Sequence, residues 1–195
     1  MSMKKILVLA IHPALDTSTV TRSIWEQLVA LPGIECHDLY ELYPDFYIDF
    51  QAEQEKLKNA DLLVFLHPIY WYSAPSLLKE WQMRVLSSGF AYGKQETDLE
   101  GMDFWQIVSA GGSFSKYNTD GSLGCSMNEV LKPFEAMARK CKMQWHPPKV
   151  MYGAHSTSSD KIDEYARDVL HMLLNYQSQG GLALDDNIEN IQNND

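Results

Sequence analysis

The stretch "DLLVFLHPIYWYSAP", Asp61 to Pro75, decides the fold class. Its first half, Leu62 to Leu66, is apolar at every position. A strand that alternates apolar and polar residues buries one face. A strand with no alternation is buried on both, as happens in a parallel sheet covered by helices. The run ends at His67-Pro68, and Tyr70, Trp71 and Tyr72 follow before Pro75. Soluble proteins usually keep such rings inside. Here they stand just past the end of a strand, where open α/β sheets hold their ligands. A grip on a flat ring system, a hydrophobic plug and a subunit contact are all readings of these rings.

The same unalternating pattern recurs on both sides. "KKILVLAI" (Lys4 to Ile11), "GMDFWQIVSAGG" (Gly101 to Gly112) and "PPKVMYGAH" (Pro147 to His155) read as buried strands, and Ile34 to Leu39 as a short one after Pro32-Gly33. Helical spacing fills the gaps. Val20, Ile24, Trp25, Leu28, Val29 and Leu31 follow an N-cap at Thr17 or Ser18. Asp49 to Ala60 is a polar helix. Pro75 opens a helix with Leu77, Leu78, Trp81 and Val85 on one side. Ser126 and Glu129 form a capping box, and Pro133 predicts a kink or a later start in the helix that follows. Asp160 to Tyr176 is a final amphipathic helix. Five alternations predict an α/β domain over residues 1–176 with a parallel sheet; if its order is 2-1-3-4-5, the ends of the first, third and fourth strands converge. The polar tail, 177–195, is expected to be disordered or to lie on a neighbour as an arm.

The chain has 195 residues, 45% of them hydrophobic, enough for one sizeable core. Sixteen Lys+Arg against 26 Asp+Glu give a formal charge of -10. That argues against nucleic acid or an anionic membrane as a partner. The three cysteines, Cys36, Cys125 and Cys141, are scattered without metal-ligand spacing, so no metal is expected. The apolar run after Lys4-Lys5 is too short for a signal peptide, and a cytoplasmic location is expected.

Three strand ends carry the candidate chemistry. After the first strand come His12 and the hydroxyls Thr17, Ser18, Thr19 and Thr21. With a helix N-terminus they suit a phosphate without any lysine, although one hydroxyl already serves as a cap. After the third comes the aromatic loop. After the fourth comes Gly111-Gly112, which permits close backbone approach, and then Tyr117, whose phenol is a donor. A phosphate site and an aromatic clamp at one sheet edge suggest a flavin mononucleotide-like ligand.

The block "HPIYWYSAPSLLKEWQMRVLSSGFAYG" (His67 to Gly93) resembles the flavodoxin-like NAD(P)H:quinone oxidoreductases, the group around DT-diaphorase. "LYELYPDFYIDFQAEQ" (Leu39 to Gln54) resembles the ancillary subunit of the bacterial glutathione-regulated potassium-efflux system. The resemblance runs from Lys4 to about Tyr176. It implies a flavodoxin-like three-layer sandwich holding FMN, with FAD as the alternative, and NADPH or NADH as electron donor. It places His12, Ser18, Thr19, Val20 and Thr21 on the flavin phosphate side. Pro68, Ile69, Tyr70, Trp71 and Tyr72 would line the isoalloxazine. Ser109, Ala110, Gly111 and Gly112 stand where the family has a Thr-Thr-Gly-Gly turn. Tyr117 matches a tyrosine that bonds flavin or quinone, while the family's histidine six residues later is Leu123 here. The resemblance further implies ping-pong reduction of a quinone-like acceptor, a homodimer with flavin sites at its interface, and a potassium-efflux transporter as partner at the inner membrane. Azo- or nitro-reduction and a mainly regulatory, nucleotide-sensing role are the alternatives. A one-electron flavodoxin-type carrier suits the acidic charge but not the 67–93 block.

Overall fold

The computed structural model describes residues 3–93 and 95–182. Strands β1 (Ile6–Ala10), β2 (Ile34–Asp38), β3 (Leu62–Pro68), β4 (Asp103–Ser109), β5 (Gln144–Trp145) and β6 (Lys149–Met151) form one sheet. Its order is β2-β1-β3-β4-β5, every pairing is parallel, and β6 also pairs with β4. The helices are α1 (Val20–Leu28), α2 (Leu39–Leu42), α3 (Phe50–Lys58), α4 (Ser76–Val85), α5 (Met127–Lys140) and α6 (Ser159–Gln179).

The unalternating strands are buried on both faces, as their composition requires. Leu63 and Phe65 of β3 point into one core with Trp81 of α4 and Phe134 of α5. Leu62, Val64 and Leu66 point into the other, with Ile24 of α1 and Val169 and Leu173 of α6. Helices therefore cover both sides of the sheet, which makes the three layers. At the centre Phe65 meets Trp81, Phe104 and Phe134 edge-on at 5.0–6.4 Å, the preferred geometry for aromatic pairs.

Local details depart from the sequence reading. The expected single fifth strand is two pieces. β5 lies along Asp103-Phe104 and β6 along Ile107 to Ser109. Pro147 and Pro148 stand between them and have no N–H for the ladder. The second strand stops at Asp38, whose carboxylate takes the N–H groups of Tyr40 and Glu41 and starts α2. Pro75 is the residue before α4 rather than its first. The capping box is present and α5 runs unbroken from Met127 past Pro133, so the later start does not occur. The last helix continues beyond Tyr176 to Gln179, with Gln177 buried and its amide on the Pro32 carbonyl at 3.1 Å. Residues 183–195, most of the expected tail, lie outside the described residues.

One buried charge sits among the apolar layers. Glu53 of α3 is fully buried. Its carboxylate accepts from Trp81 Nε1 (2.8 Å), Tyr43 Oη (2.8 Å) and Lys56 Nζ (2.5 Å). It thereby links α3, α4 and the segment after α2. Among the described residues no helix is long and apolar enough to cross a membrane.

Candidate functional site

The carboxyl ends of β1, β3, β4 and β6 open onto a cavity of about 510 Å³, within the roughly 300–1,000 Å³ usual for small-molecule sites. Of the residues singled out in the sequence, His12, Ser18, Thr19, Val20, Pro68, Ile69, Tyr70, Trp71, Tyr72, Ser109, Gly111, Gly112 and Tyr117 line it. Thr21 and Ala110 do not, and both are buried. Thr21 gives its N–H to Ser18 Oγ at 3.2 Å. Ala110 is held in the backbone, donating to Met151 and accepting from Ala154. Thr17, Ala154 and His155 complete the wall. His155 follows the last strand and was not singled out.

The β1 end is a donor cluster. Ser18 Oγ occupies the N–H of Thr21. No acceptor in the described chain takes the N–H groups of Thr19, Val20 and Arg22. These are the orphan donors of a helix start, where the dipole adds partial positive charge. Among the described residues no lysine or arginine lines the cavity. The site therefore suits an anion held by N–H groups and hydroxyls.

His12 is locked as one tautomer. Its Nδ1 accepts the N–H of Ala14 (3.1 Å), so the proton sits on Nε2, which donates to Tyr70 Oη (3.1 Å). Burial holds this imidazole below its ordinary range, which keeps it neutral. The Tyr70 O–H is then left to donate elsewhere, and its ring lines the cavity.

The aromatic loop is a tight hairpin. Tyr70 and Ser73 exchange N–H···O bonds of 2.8 and 3.1 Å around Trp71 and Tyr72. Both central residues have positive φ, +48° and +60°, as a type I′ turn requires. Such turns favour Asn-Gly, because a side chain there clashes with the backbone. Trp71 is 90% exposed, so packing within the chain does not offset that strain. Strained backbone of this kind gathers at ligand sites. We expect Trp71→Gly to stabilise the fold by about 1 kcal/mol, strain relief exceeding the entropy cost of glycine. Urea unfolding of the variant beside the parent protein checks this. A loss of stability would place Trp71 in a packing role.

The third corner is held to its neighbours by backbone. Ile69 N–H bonds the Ser109 carbonyl at 2.7 Å, which joins the β3 and β4 ends. Gly111 and Gly112 matter for space and not for conformation, since neither has a left-handed φ. A Cβ on Gly111 would lie 2.6 Å from His155 Cδ2, and one on Gly112 would lie 3.0 Å from Tyr117 Cε2. The pair expected to admit a ligand thus first admits two side chains. Tyr117 is buried and packs on Tyr152 at 5.7 Å. Burial, with smaller effects from Tyr72 and Cys125, pushes its phenol up, so it keeps its proton. Leu123 packs against the core.

Comparison with known proteins agrees with this architecture. A model of the family described as "Flavodoxin-like fold" matches residues 4–173. The glutathione-regulated potassium-efflux system ancillary protein KefG of Erwinia tasmaniensis is 37% identical over 178 residues, 91% of this chain and 97% of that protein. The structure of general stress protein 14 from Treponema denticola, in complex with FMN, is 36% identical with a TM-score of 0.82, covering 87% of this chain and 97% of that one. An NADPH-quinone reductase from P. pentosaceus is 26% identical with a TM-score of 0.77, covering 91% and 99%. With its sheet order, its site at the carboxyl edge and these matches, the chain belongs to the flavodoxin-like fold family that includes the KefG ancillary proteins.

Proposed function

We propose that the protein is an FMN-dependent NAD(P)H oxidoreductase that reduces quinones by two-electron, ping-pong transfer. The observation that carries it is one cavity joining orphan helix N–H groups and hydroxyls to a strained aromatic hairpin. These fit the two halves of FMN, a phosphate and a flat heteroaromatic ring. A relative with the same fold at 36% identity carries FMN in its structure. FMN, when bound, supplies the acceptance of hydride and its transfer as two electrons. FAD is the alternative cofactor, and NADPH or NADH the donor.

The residues divide the work. Ser18, Thr19 and Val20 hold the phosphate. The segment Pro68 to Tyr72 positions the ring, with Ser109 to Gly112 at its other edge. Tyr117 donates its O–H to an oxygen that gains negative charge as the reaction proceeds. Such a contact raises kcat more than it tightens binding. Water can partly replace it, so Tyr117→Phe is expected to lower kcat for a quinone about 10-fold, near 1.4 kcal/mol, with FMN still bound. Equal turnover at saturating quinone would make Tyr117 structural.

The exposed rings of Trp71, Tyr72 and Tyr70 make a homodimer part of this reading, because apolar surface at a site mouth favours cover by a second subunit. Sedimentation at micromolar concentration should give about twice 22.3 kDa. A monomer that turns over would count against an interface site. The likeness to KefG supports a second role, as an ancillary protein docked on a potassium-efflux transporter at the membrane. Co-purification with a transporter tests it. Azo- or nitro-reduction differs only in the acceptor and is separated by comparing acceptors on one preparation.

A further inference from the structure

We propose that His155 is a second catalytic residue of this cavity, delivering a proton from Nε2 to the oxygen of a bound quinone-type acceptor. The inference rests on the reductase reading above and adds a proton source to it.

The backbone fixes where the imidazole stands. Ala154 N–H bonds the Ala110 carbonyl at 3.0 Å, and Gly153 N–H bonds the Gly112 carbonyl at 2.9 Å. The N–H groups of Ser156 and Thr157 close the turn onto the Gly153 carbonyl at 2.9 and 3.1 Å, and the Thr157 hydroxyl adds a third bond at 2.9 Å. The ring therefore lies over Gly111. A Cβ there would come within 2.6 Å of Cδ2 and 2.8 Å of Nε2. Both His155 and Gly111 line the cavity, as does Tyr117.

The other histidines at strand ends have fixed partners. His12 bonds Ala14 and Tyr70, His67 bonds Pro68 and Gln106, and His146 bonds Asp103. Among the described residues neither nitrogen of His155 has one. A ring at the cavity wall, with both nitrogens unspent, is free to bond a ligand.

The chemistry needs such a group. Reducing a quinone carbonyl to a hydroxyl on each oxygen takes two electrons and two protons. NAD(P)H supplies the electrons and one proton as a hydride equivalent. The second proton must come from the protein or water. Tyr117 donates a hydrogen bond but holds its proton, since burial raises its pKa. In the protonated His155 ring the Nε2–H bond breaks as the O–H bond forms, which leaves a neutral imidazole, and water returns the proton to the exposed ring.

The test uses two variants, two acceptors and one binding measurement on the full chain. His155→Leu removes the ring. Gly111→Ala displaces it while leaving it in the chain, and the ring can swing away because nothing else holds it. The acceptors are menadione, which needs the proton, and ferricyanide, which takes an electron alone. Both variants should lower the menadione-to-ferricyanide turnover ratio about 10-fold, and the double variant should lose no more than either. Free imidazole in the buffer should restore part of the loss for His155→Leu. The flavin-loaded variants should also bind the unreactive phenol 1-naphthol more weakly by fluorescence titration. An unchanged ratio with unchanged 1-naphthol affinity, in variants of a wild type active with both acceptors, overturns this inference alone. A wild type that passes electrons from NAD(P)H to neither acceptor overturns the reductase reading and this inference together.

Discussion

Glu53→Ala is expected to lower the stability of the fold by about 3–5 kcal/mol, the usual result of removing one partner from a buried ion pair. Three donors converge on this fully buried carboxylate: the indole of Trp81, the phenol of Tyr43 and the ammonium of Lys56. Alanine leaves all three without an acceptor and opens a gap between α3 and α4. Lys56 is partly exposed and recovers some solvation. Trp81 and Tyr43 do not, and an unsatisfied buried donor costs about 1–3 kcal/mol. Glu53→Gln keeps the shape and one acceptor oxygen, so its loss should be smaller. Urea unfolding at neutral pH measures both. A change below about 1 kcal/mol for Glu53→Ala would show that water replaces the carboxylate.

The second large effect is a pH dependence carried by His67. Its ring is fully buried at the end of β3. Nδ1–H donates to the Pro68 carbonyl (3.0 Å), and Nε2 accepts from the Gln106 amide (3.1 Å). Burial pushes this imidazole down to about 4, against the lesser raising effect of the Pro68 carbonyl. An unfolded histidine titrates near 6.5. Between these values the unfolded chain binds the proton and the folded one does not. The stabilising contribution is thus complete above pH 6.5 and is lost as pH falls toward 4. By pH 4.5 the loss amounts to about 2.5 kcal/mol. His67→Phe removes the titration beside Phe134, already 5.6 Å away. The fall in unfolding free energy from pH 7 to 4.5 should therefore be about 2.5 kcal/mol smaller in the variant than in wild type. Parallel falls in the two proteins would contradict the account.

What the sequence made legible follows from which forces are local. Unalternating strands and helical spacing announce burial directly. A strand buried on both faces could be read from Leu62 to Leu66 and the buried face of a helix from Leu77, Leu78, Trp81 and Val85, whereas the strand order came only with the flavodoxin-like resemblance. The strand-end rule brought His12, Ser18, the aromatic loop and Tyr117 into one cavity. It was applied to three strands and not to "VMYGAH", whose end carries His155 by the same logic. Other features depend on distant partners. Glu53 sits in a stretch that reads as a polar helix, and only tertiary packing brings Trp81 and Tyr43 to it. The glycine pair looked like room for a ligand, and the rings that need the space come from residues 117 and 155. The left-handed turn at Trp71-Tyr72 has no sequence signal, because neither residue favours it.

The central claim is that the cavity holds a flavin mononucleotide with its phosphate on the start of α1. Fluorescence titration of FMN with the apoprotein tests it most directly, with Ser18→Ala in parallel. Thr19, not Thr17 or Ser18, is the residue before α1, but Ser18 Oγ accepts the Thr21 N–H in the first turn and Ser18 lines the cavity. Losing one hydrogen bond to a charged group costs about 1.5 kcal/mol or more. The expected result is saturation at one FMN per chain, with affinity reduced about 10-fold or more in the variant and a stability loss of about 1 kcal/mol, that of a lost helix cap, with the fold intact. A wild type that binds no FMN in excess cofactor, or a folded Ser18→Ala protein that binds it as tightly, would contradict the account.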